Sequence, residues 1–365
     1  MHLYIHVPFC GRRCSYCDFA IAVRREAPAA EFIDAVLREW DVRRQHPAWG
    51  DSPRVASVYF GGGTPSRLRP SAIARLIERI ASDQPLDNGV EITLEANPED
   101  VSPTSAAGWR AAGVNRLSLG AQSFDDQALA WMHRTHGATA VPAAVESARA
   151  AGFDNVSLDL IFALPAALER DWDRDLAQAL ALAPEHLSLY GLTTEPQTPL
   201  ARWTERGLVR AADDERYAAE YLAAHAALTA AGYEHYEVSN AARPGRRSRH
   251  NSGYWNGAAY VGLGPSAHSC AAGERWWNVR QWSAYQRAVM SGTDWVAGRE
   301  SPDPEGGRLE ILYLGLRTAE GVRGDAVPPV TAQQWIANGW AESGAGRLRL
   351  TVEGWLRLDA LVAAV

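Results

Sequence analysis

Three of the four cysteines fall within eight residues, as Cys10-x3-Cys14-x2-Cys17, while Cys270 stands alone. Thiols so closely spaced in one short loop are suited to hold metal. Three thiolates can wrap one face of an iron–sulfur cube, whose usual ligands are cysteines. That leaves one iron open to a second molecule. A structural zinc needs four ligands in a tetrahedral array, and His6 or Asp18 would have to supply the fourth. Spacing favours the cluster and leaves zinc open. Downstream, Gly61-Gly62-Gly63-Thr64 forms a glycine run, which lets backbone N–H groups approach an anionic or zwitterionic ligand. Glu95 ends another apolar run, where a carboxylate suits a ribose hydroxyl or an ammonium group.

Such residues need strands to carry them. The N-terminal two thirds alternate short apolar runs with stretches of helical periodicity. Strands are expected at 2–7, 54–60, 90–96, 116–120, 156–162, 186–190 and 233–238. Helices are expected at 28–44, 70–81, 139–151, 168–182 and 213–231. Gly152 and Gly232 sit where two of these should stop. Strand–helix repetition implies an α/β chain with a parallel sheet and right-handed crossovers. Several strands read as apolar on both faces, as buried parallel strands do. A full or partial (β/α) barrel and a doubly wound sheet both satisfy the pattern. In a barrel, the working residues lie at the C-terminal strand ends and in the loops that follow.

The character changes near residue 240. Residues 241–300 read as a connecting region rich in glycine and aromatics, after a core at 1–240. Residues 301–365 read as a small, mainly helical, winged-helix-like domain: helical from about 303, where Leu309, Leu312, Tyr313 and Leu316 share a face, with further helices at 331–339 and 352–362 and half of a hairpin at 346–351.

The 365 residues are 47% hydrophobic and 22% charged, ordinary for a globular protein of about two domains and incompatible with disorder. The net charge is −7, and every basic residue is arginine, which reflects compositional bias. An acidic chain whose C-terminal segment lacks a basic stripe is a poor nucleic-acid binder. Clustered cysteines do not fit a secreted disulfide framework. The opening residues lack the basic and apolar regions of a signal peptide, and no apolar run reaches about 18 residues. A cytoplasmic protein with no integral membrane segment is expected.

Tyr4-Ile5-His6-Val7-Pro8-Phe9-Cys10, with Cys14, Tyr16, Cys17, Asp18 and Phe19, resembles the opening of radical S-adenosylmethionine (SAM) proteins. More narrowly, it resembles the oxygen-independent coproporphyrinogen III oxidases and the HemW-type haem chaperones. The resemblance implies a partial (β/α)6 barrel and a [4Fe–4S] cluster on Cys10, Cys14 and Cys17. It also implies SAM chelated to the unique iron and open to reductive cleavage into methionine and a 5′-deoxyadenosyl radical. It carries cofactor-binding roles to Tyr4, to Gly62, Gly63 and Thr64 beside the methionyl part, and to Glu95, Gln122, Arg134 and Asp159. Ala163 departs from the family's usual glycine and puts the local backbone geometry in question.

Two departures point to a carrier rather than an oxidase. Phe19 stands where the oxidases resemble one another in a further cysteine. The sequence also opens at the Tyr4 run, without their long N-terminal extension. His250-Asn251-Ser252-Gly253-Tyr254-Trp255 matches the His-Asn-x-x-Tyr-Trp motif associated with haem in HemW-type proteins. The match implies His250 as an axial haem ligand, with Tyr254 or His268 as alternatives. Trp255 would pack on the macrocycle, and Arg246, Arg247 and Arg249 would pair with the propionates. Cys270 reads mainly as a buried small hydrophobe, though it is another donor. The absence of Cys-x-x-Cys-His argues against thioether attachment. The implied partners are haem-accepting proteins, respiratory ones among them, and an electron donor for the cluster.

Overall fold

The computed structural model describes residues 1–49 and 54–365. Six parallel strands make its centre: β1 (His2–Val7), β2 (Val55–Gly62), β3 (Leu86–Ala96), β4 (Arg116–Gln122), β5 (Val156–Phe162) and β6 (His186–Gly191). Each pairs with the next in sequence, so the order along this part of the sheet is the chain order. The helices between them include Ala29–Arg43, Pro70–Asp83, Pro103–Ala111, Ala140–Ala150 and Trp172–Ala181. The result is a partial (β/α)6 barrel.

The strands are not apolar on both faces. Leu3, Ile5 and Val7 are fully buried on one face of β1, whereas His2, Tyr4 and His6 alternate with them. The same alternation sets Leu117 and Leu119 against Arg116 and Ser118, Leu158 and Leu160 against Ser157 and Asp159, and Leu187 and Leu189 against His186 and Ser188. Period-2 geometry sends each set to one face. The apolar face joins Phe32, Val36, Trp40, Ile73, Leu76 and Ile80 of the first two helices in the main core. The other face is a buried polar interior, much of it hydrogen-bonded, with His186 held between Ser157 and Tyr236, although Thr93 Oγ1 and Arg116 Nε find no partner among the described residues. A barrel interior satisfied by side chains needs no apolar run on that face.

Local chemistry sets the helix limits. Pro70 occupies the first helical position of Pro70–Asp83, where its missing N–H is harmless. Ser102 and Ser105 close a reciprocal cap on Pro103–Ala111, and Asp171 and Asp213 cap two later helices. Gly152 and Gly232 follow helix ends in the left-handed conformation expected of them.

The seventh expected strand differs. Glu234–Glu237 pairs antiparallel with Asn240–Ala242, which pairs antiparallel with β6. On the far side of β1, Tyr260–Leu263 adds in parallel, followed by antiparallel His268–Ala271, Glu274–Asn278 and Val296–Glu300. The sheet therefore continues well past β1. Near the C-terminus, Val322–Arg323, Arg347–Leu350 and Ala341–Gly344 form a small antiparallel sheet beside helices Pro304–Leu316 and Pro329–Ala337. The last expected helix is split into Val352–Trp355 and Leu358–Ala363. No helix among the described residues is long and apolar enough to cross a membrane.

Candidate functional site

A cavity of about 600 Å³ opens at the C-terminal ends of the strands. Cys10, Cys14 and Cys17 line it together with Gly62, Gly63, Thr64, Glu95, Gln122, Arg134 and Asp159. Residues far apart in sequence converge there because most stand at a strand end or in the following loop, while Asp159 points in from the middle of its strand and Arg134 follows the short helix Asp126–Trp131.

The thiols have donors beside them. Thr64 Oγ1 lies 3.4 Å from Cys10 Sγ, and Arg134 Nη1 lies 3.6 Å from Cys14 Sγ. Burial pushes the Cys17 thiol up to about 11 and raises Cys10 as well. Such thiols stay protonated at neutral pH until a cationic group takes the proton's place. Arg134 Nη2 donates to Asn97 Oδ1 at 2.7 Å and to the Gly120 carbonyl at 3.0 Å. Among the described residues its Nε is buried without a hydrogen-bond partner.

Glu95 accepts from Tyr59 Oη at 2.8 Å and from the Gly62 N–H at 3.1 Å. Burial, then repulsion from Asp159, raises its carboxyl to about 7. Asp159 accepts from Ser118 Oγ and is raised too, chiefly by burial. Two crowded acids of this kind favour a ligand carrying positive charge or hydroxyl donors. The glycine run is a fitted surface: a Cβ on Gly63 would sit 2.8 Å from the Pro8 carbonyl group. Gln122 holds φ +66° and His133, next to Arg134, φ +61°, the kind of strain that collects at ligand sites.

Residues 4–179 match the radical SAM superfamily. The chain is 37% identical to the heme chaperone HemW of Mycobacterium tuberculosis, over 99% of this chain and 93% of that protein. It is 36% identical to the heme chaperone HemW of Synechocystis sp., over 90% and 80% respectively. The chain belongs to the HemW family of radical SAM proteins. The fold of this HemW family member matches coproporphyrinogen III oxidase (HemN) from Escherichia coli with a TM-score of 0.80, covering 99% of this chain and 88% of that one. At 20% identity, that likeness concerns fold alone.

The residues fit the two groups that the radical SAM family implies. Three thiols, an unpartnered arginine Nε and a glycine cradle share one cavity. Among the described residues, no three His, Cys, Asp or Glu side chains converge on one point as a single metal ion would require. A cube instead spreads its ligands around its corners.

Tyr4 is the one expected cofactor residue that does not line this cavity. It lines a second one, of about 540 Å³, with His6, Tyr254, Trp255, Tyr260, His268 and Cys270. Tyr4 nevertheless lies against Gly61, which forbids a side chain there. Asp18 and Phe19 line both cavities.

The haem-motif residues of this HemW family member separate. His250 sits in helix Arg249–Trp255, 1% exposed and outside both linings. Its Nδ1 meets Ser57 Oγ at 2.7 Å and its Nε2 meets Tyr254 Oη at 2.8 Å. Both ring nitrogens are engaged in this structure, so His250 would have to give up one of these bonds to reach iron. The arginines also go elsewhere: Arg246 pairs with Asp154, Arg247 with Glu234 and Glu320, and Arg249 donates to the Gly89 carbonyl. Cys270 is only half-buried and faces the second cavity, rather than filling the core. Sequence reasoning passed over Asn97, Ser118 and Arg280. Asn97 could have been read from its position just past a strand end; Ser118 lies within its strand, and nothing local marks Arg280.

Proposed function

We propose that this chain is a haem chaperone. It holds a [4Fe–4S] cluster on Cys10, Cys14 and Cys17 with SAM beside it, binds haem, and passes haem to acceptor proteins. The observation that carries the reading is the convergence of three cysteines with seven of the eight expected SAM residues on one cavity wall. The HemW name of relatives that span nearly the whole chain supports the haem part.

The cluster and SAM supply one-electron chemistry when bound. The protein's own groups set the conditions. Gly62 and Gly63 bring the backbone close to the methionyl part, with Thr64 alongside. Arg134 offers its free Nε to a carboxylate. Glu95 and Asp159 would hold the ammonium and ribose groups, with Gln122 lining the same cavity. Tyr4 acts from behind Gly61 rather than by contact. SAM cleavage or electron flow through the cluster is coupled to haem transfer, and an electron donor is therefore a partner.

The test is reconstitution of the purified chain with iron and sulfide, titration with hemin, and transfer to an apo-haem protein. Uptake and transfer are expected, with no decarboxylation of coproporphyrinogen III under anaerobic, reducing conditions. Steady decarboxylation without haem uptake would overturn the reading in favour of an oxidase.

A further inference from the structure

The second cavity contains a set of groups that the cluster site does not use. Its walls carry the rings of Tyr254, Trp255 and Tyr260, and two arginines, Arg275 and Arg280. Arg275 is held by Glu300 and Glu310, while Arg280 donates to the Asp18 carbonyl. Its volume falls within the roughly 300–1,000 Å³ usual for small-molecule sites.

Several side chains on this wall could bind iron, and hydrogen-bond accounting separates them. His6 is buried with Nε2 on the Ala20 carbonyl at 2.9 Å and Nδ1 on Tyr4 Oη at 3.1 Å. That one contact engages Tyr4 as well. Tyr254 Oη is engaged by His250. The Tyr260 hydroxyl is in no hydrogen bond among the described residues, but burial raises its phenol, which must lose a proton to bind iron. His268 and Cys270 remain. They lie two residues apart on strand His268–Ala271, so both point to one face, and both line the cavity. No hydrogen bond engages the His268 ring nitrogens among the described residues. The ring is steadied instead by stacking on Trp277, with centroids 5.6 Å apart and planes at 22°. A neutral imidazole held in place by stacking, with an unshared nitrogen, is a ready axial ligand.

Resting on the haem-chaperone reading, we propose that the second cavity is the haem seat and that His268, not the motif histidine His250, is the axial ligand. The imidazole lone pair replaces water on ferric iron; no electron is transferred in that step. The aromatic rings cover the macrocycle edge. Arg280 lies on the same wall, where a propionate can reach its guanidinium. Asp18 and Phe19, shared by both cavities, make the seat a direct neighbour of the cluster site.

The experiment is a hemin titration of the cluster-reconstituted full chain, read by difference absorbance and by the ferric haem signal in electron paramagnetic resonance. His268→Ala should weaken hemin binding roughly tenfold or more, a loss that even outer-shell partners of metal ligands can produce. Added imidazole should restore both the affinity and the ferric spectrum of the unmodified chain, which a merely misfolded variant would not show. Wild-type affinity and spectrum in His268→Ala, or a loss that imidazole does not restore, overturns the assignment. So does loss of the signal in Cys270→Ala with His268 intact. If the unmodified chain takes up no hemin, the haem-chaperone reading itself fails; if it binds hemin and His268→Ala does so equally, only the seat is wrong.

Discussion

His250 Nε2 and the Tyr254 hydroxyl share a 2.8 Å hydrogen bond across one helical turn, while Ser57 holds the other ring nitrogen. Ser57 also bonds His2 Nδ1 at 2.8 Å. Helix Arg249–Trp255 is thereby tied to β1 and β2, which carry the cysteine loop and the glycine run. His250→Ala leaves the Tyr254 hydroxyl without its partner and opens a cavity where the buried ring stood, while Ser57 keeps His2. An unsatisfied group costs about 1–3 kcal/mol, and the cavity adds to the loss. The expected loss is about 2–4 kcal/mol of stability in denaturant unfolding, with hemin affinity of the folded fraction retained. Normal stability with lost hemin binding would return His250 to the ligand role.

Ala163 bears on the barrel's other half. It holds φ +56°, and its N–H donates to buried Glu220 Oε2 at 2.7 Å. A left-handed alanine carries about 1–2 kcal/mol of strain that glycine avoids, partly offset by glycine's greater freedom when unfolded. Ala163→Gly should therefore stabilise the chain by about 0.5–1 kcal/mol, seen as a raised unfolding midpoint. A lowered midpoint would show that the strain is relieved in another way.

What the sequence made legible follows from physics that acts locally. The six parallel strands stood out because their apolar face packs on helices, and Pro70, Gly152 and Gly232 act within one turn. The polar interior was less visible: Ser57, Ser118, Ser157 and Ser188 look like ordinary strand residues until the barrel buries them. In 260–300, strand Tyr260–Leu263 pairs with β1 across the whole core, and the aromatics and glycines of the segment gave no clear period. At the site, cysteine spacing and strand-end acids could be read directly. The engagement of His250 could not, because it depends on Ser57, 193 residues away. The cofactor roles themselves came from family resemblance, not from spacing.

Gly63 tests how tightly the glycine run is fitted to the cysteine loop. An added Cβ would meet the Pro8 carbonyl carbon and oxygen at 2.8 Å and the Val7 oxygen at 2.9 Å. These are backbone atoms that lead directly to Cys10, so the loop must move. Gly63→Ala should cost about 1–3 kcal/mol, as overpacking does. It should also lower iron and sulfide per chain after reconstitution. Full cluster loading with unchanged stability would refute the fit.

Arg134 spans Asn97, the Gly120 carbonyl and the Cys14 sulfur with one guanidinium. A lysine keeps the charge but has a single nitrogen, so it cannot hold all three and still offer a donor to a ligand. Arg134→Lys should weaken SAM binding to the cluster-loaded chain by about 1.5–3 kcal/mol, tenfold or more, the worth of a hydrogen bond to a charged group. Calorimetric titration with SAM measures this. Unchanged affinity would remove Arg134 from the SAM site.

His235 joins the barrel edge to the C-terminal segment. It stands edge-on to Trp355, with centroids 4.9 Å apart, and Nδ1 meets His225 Nδ1 at 2.9 Å. Burial, then the neighbouring His225, lowers its pKa from 6.5 to about 4. Above pH 6.5 the ring is neutral whether folded or unfolded, and titration contributes nothing. As pH falls from 6.5 towards 4, the unfolded chain takes up a proton that the folded chain refuses, so stability falls with pH. The loss attributable to this site is about 2–4 kcal/mol, because each tenfold difference in proton affinity is worth about 1.4 kcal/mol. Denaturant midpoints measured from pH 7 to pH 4.5 should decline, and His235→Phe should flatten the decline. His6, His186 and His250, also lowered by burial, will keep part of the slope in that variant. An identical slope in the variant and the unmodified chain would mean that His235 is protonated in the fold.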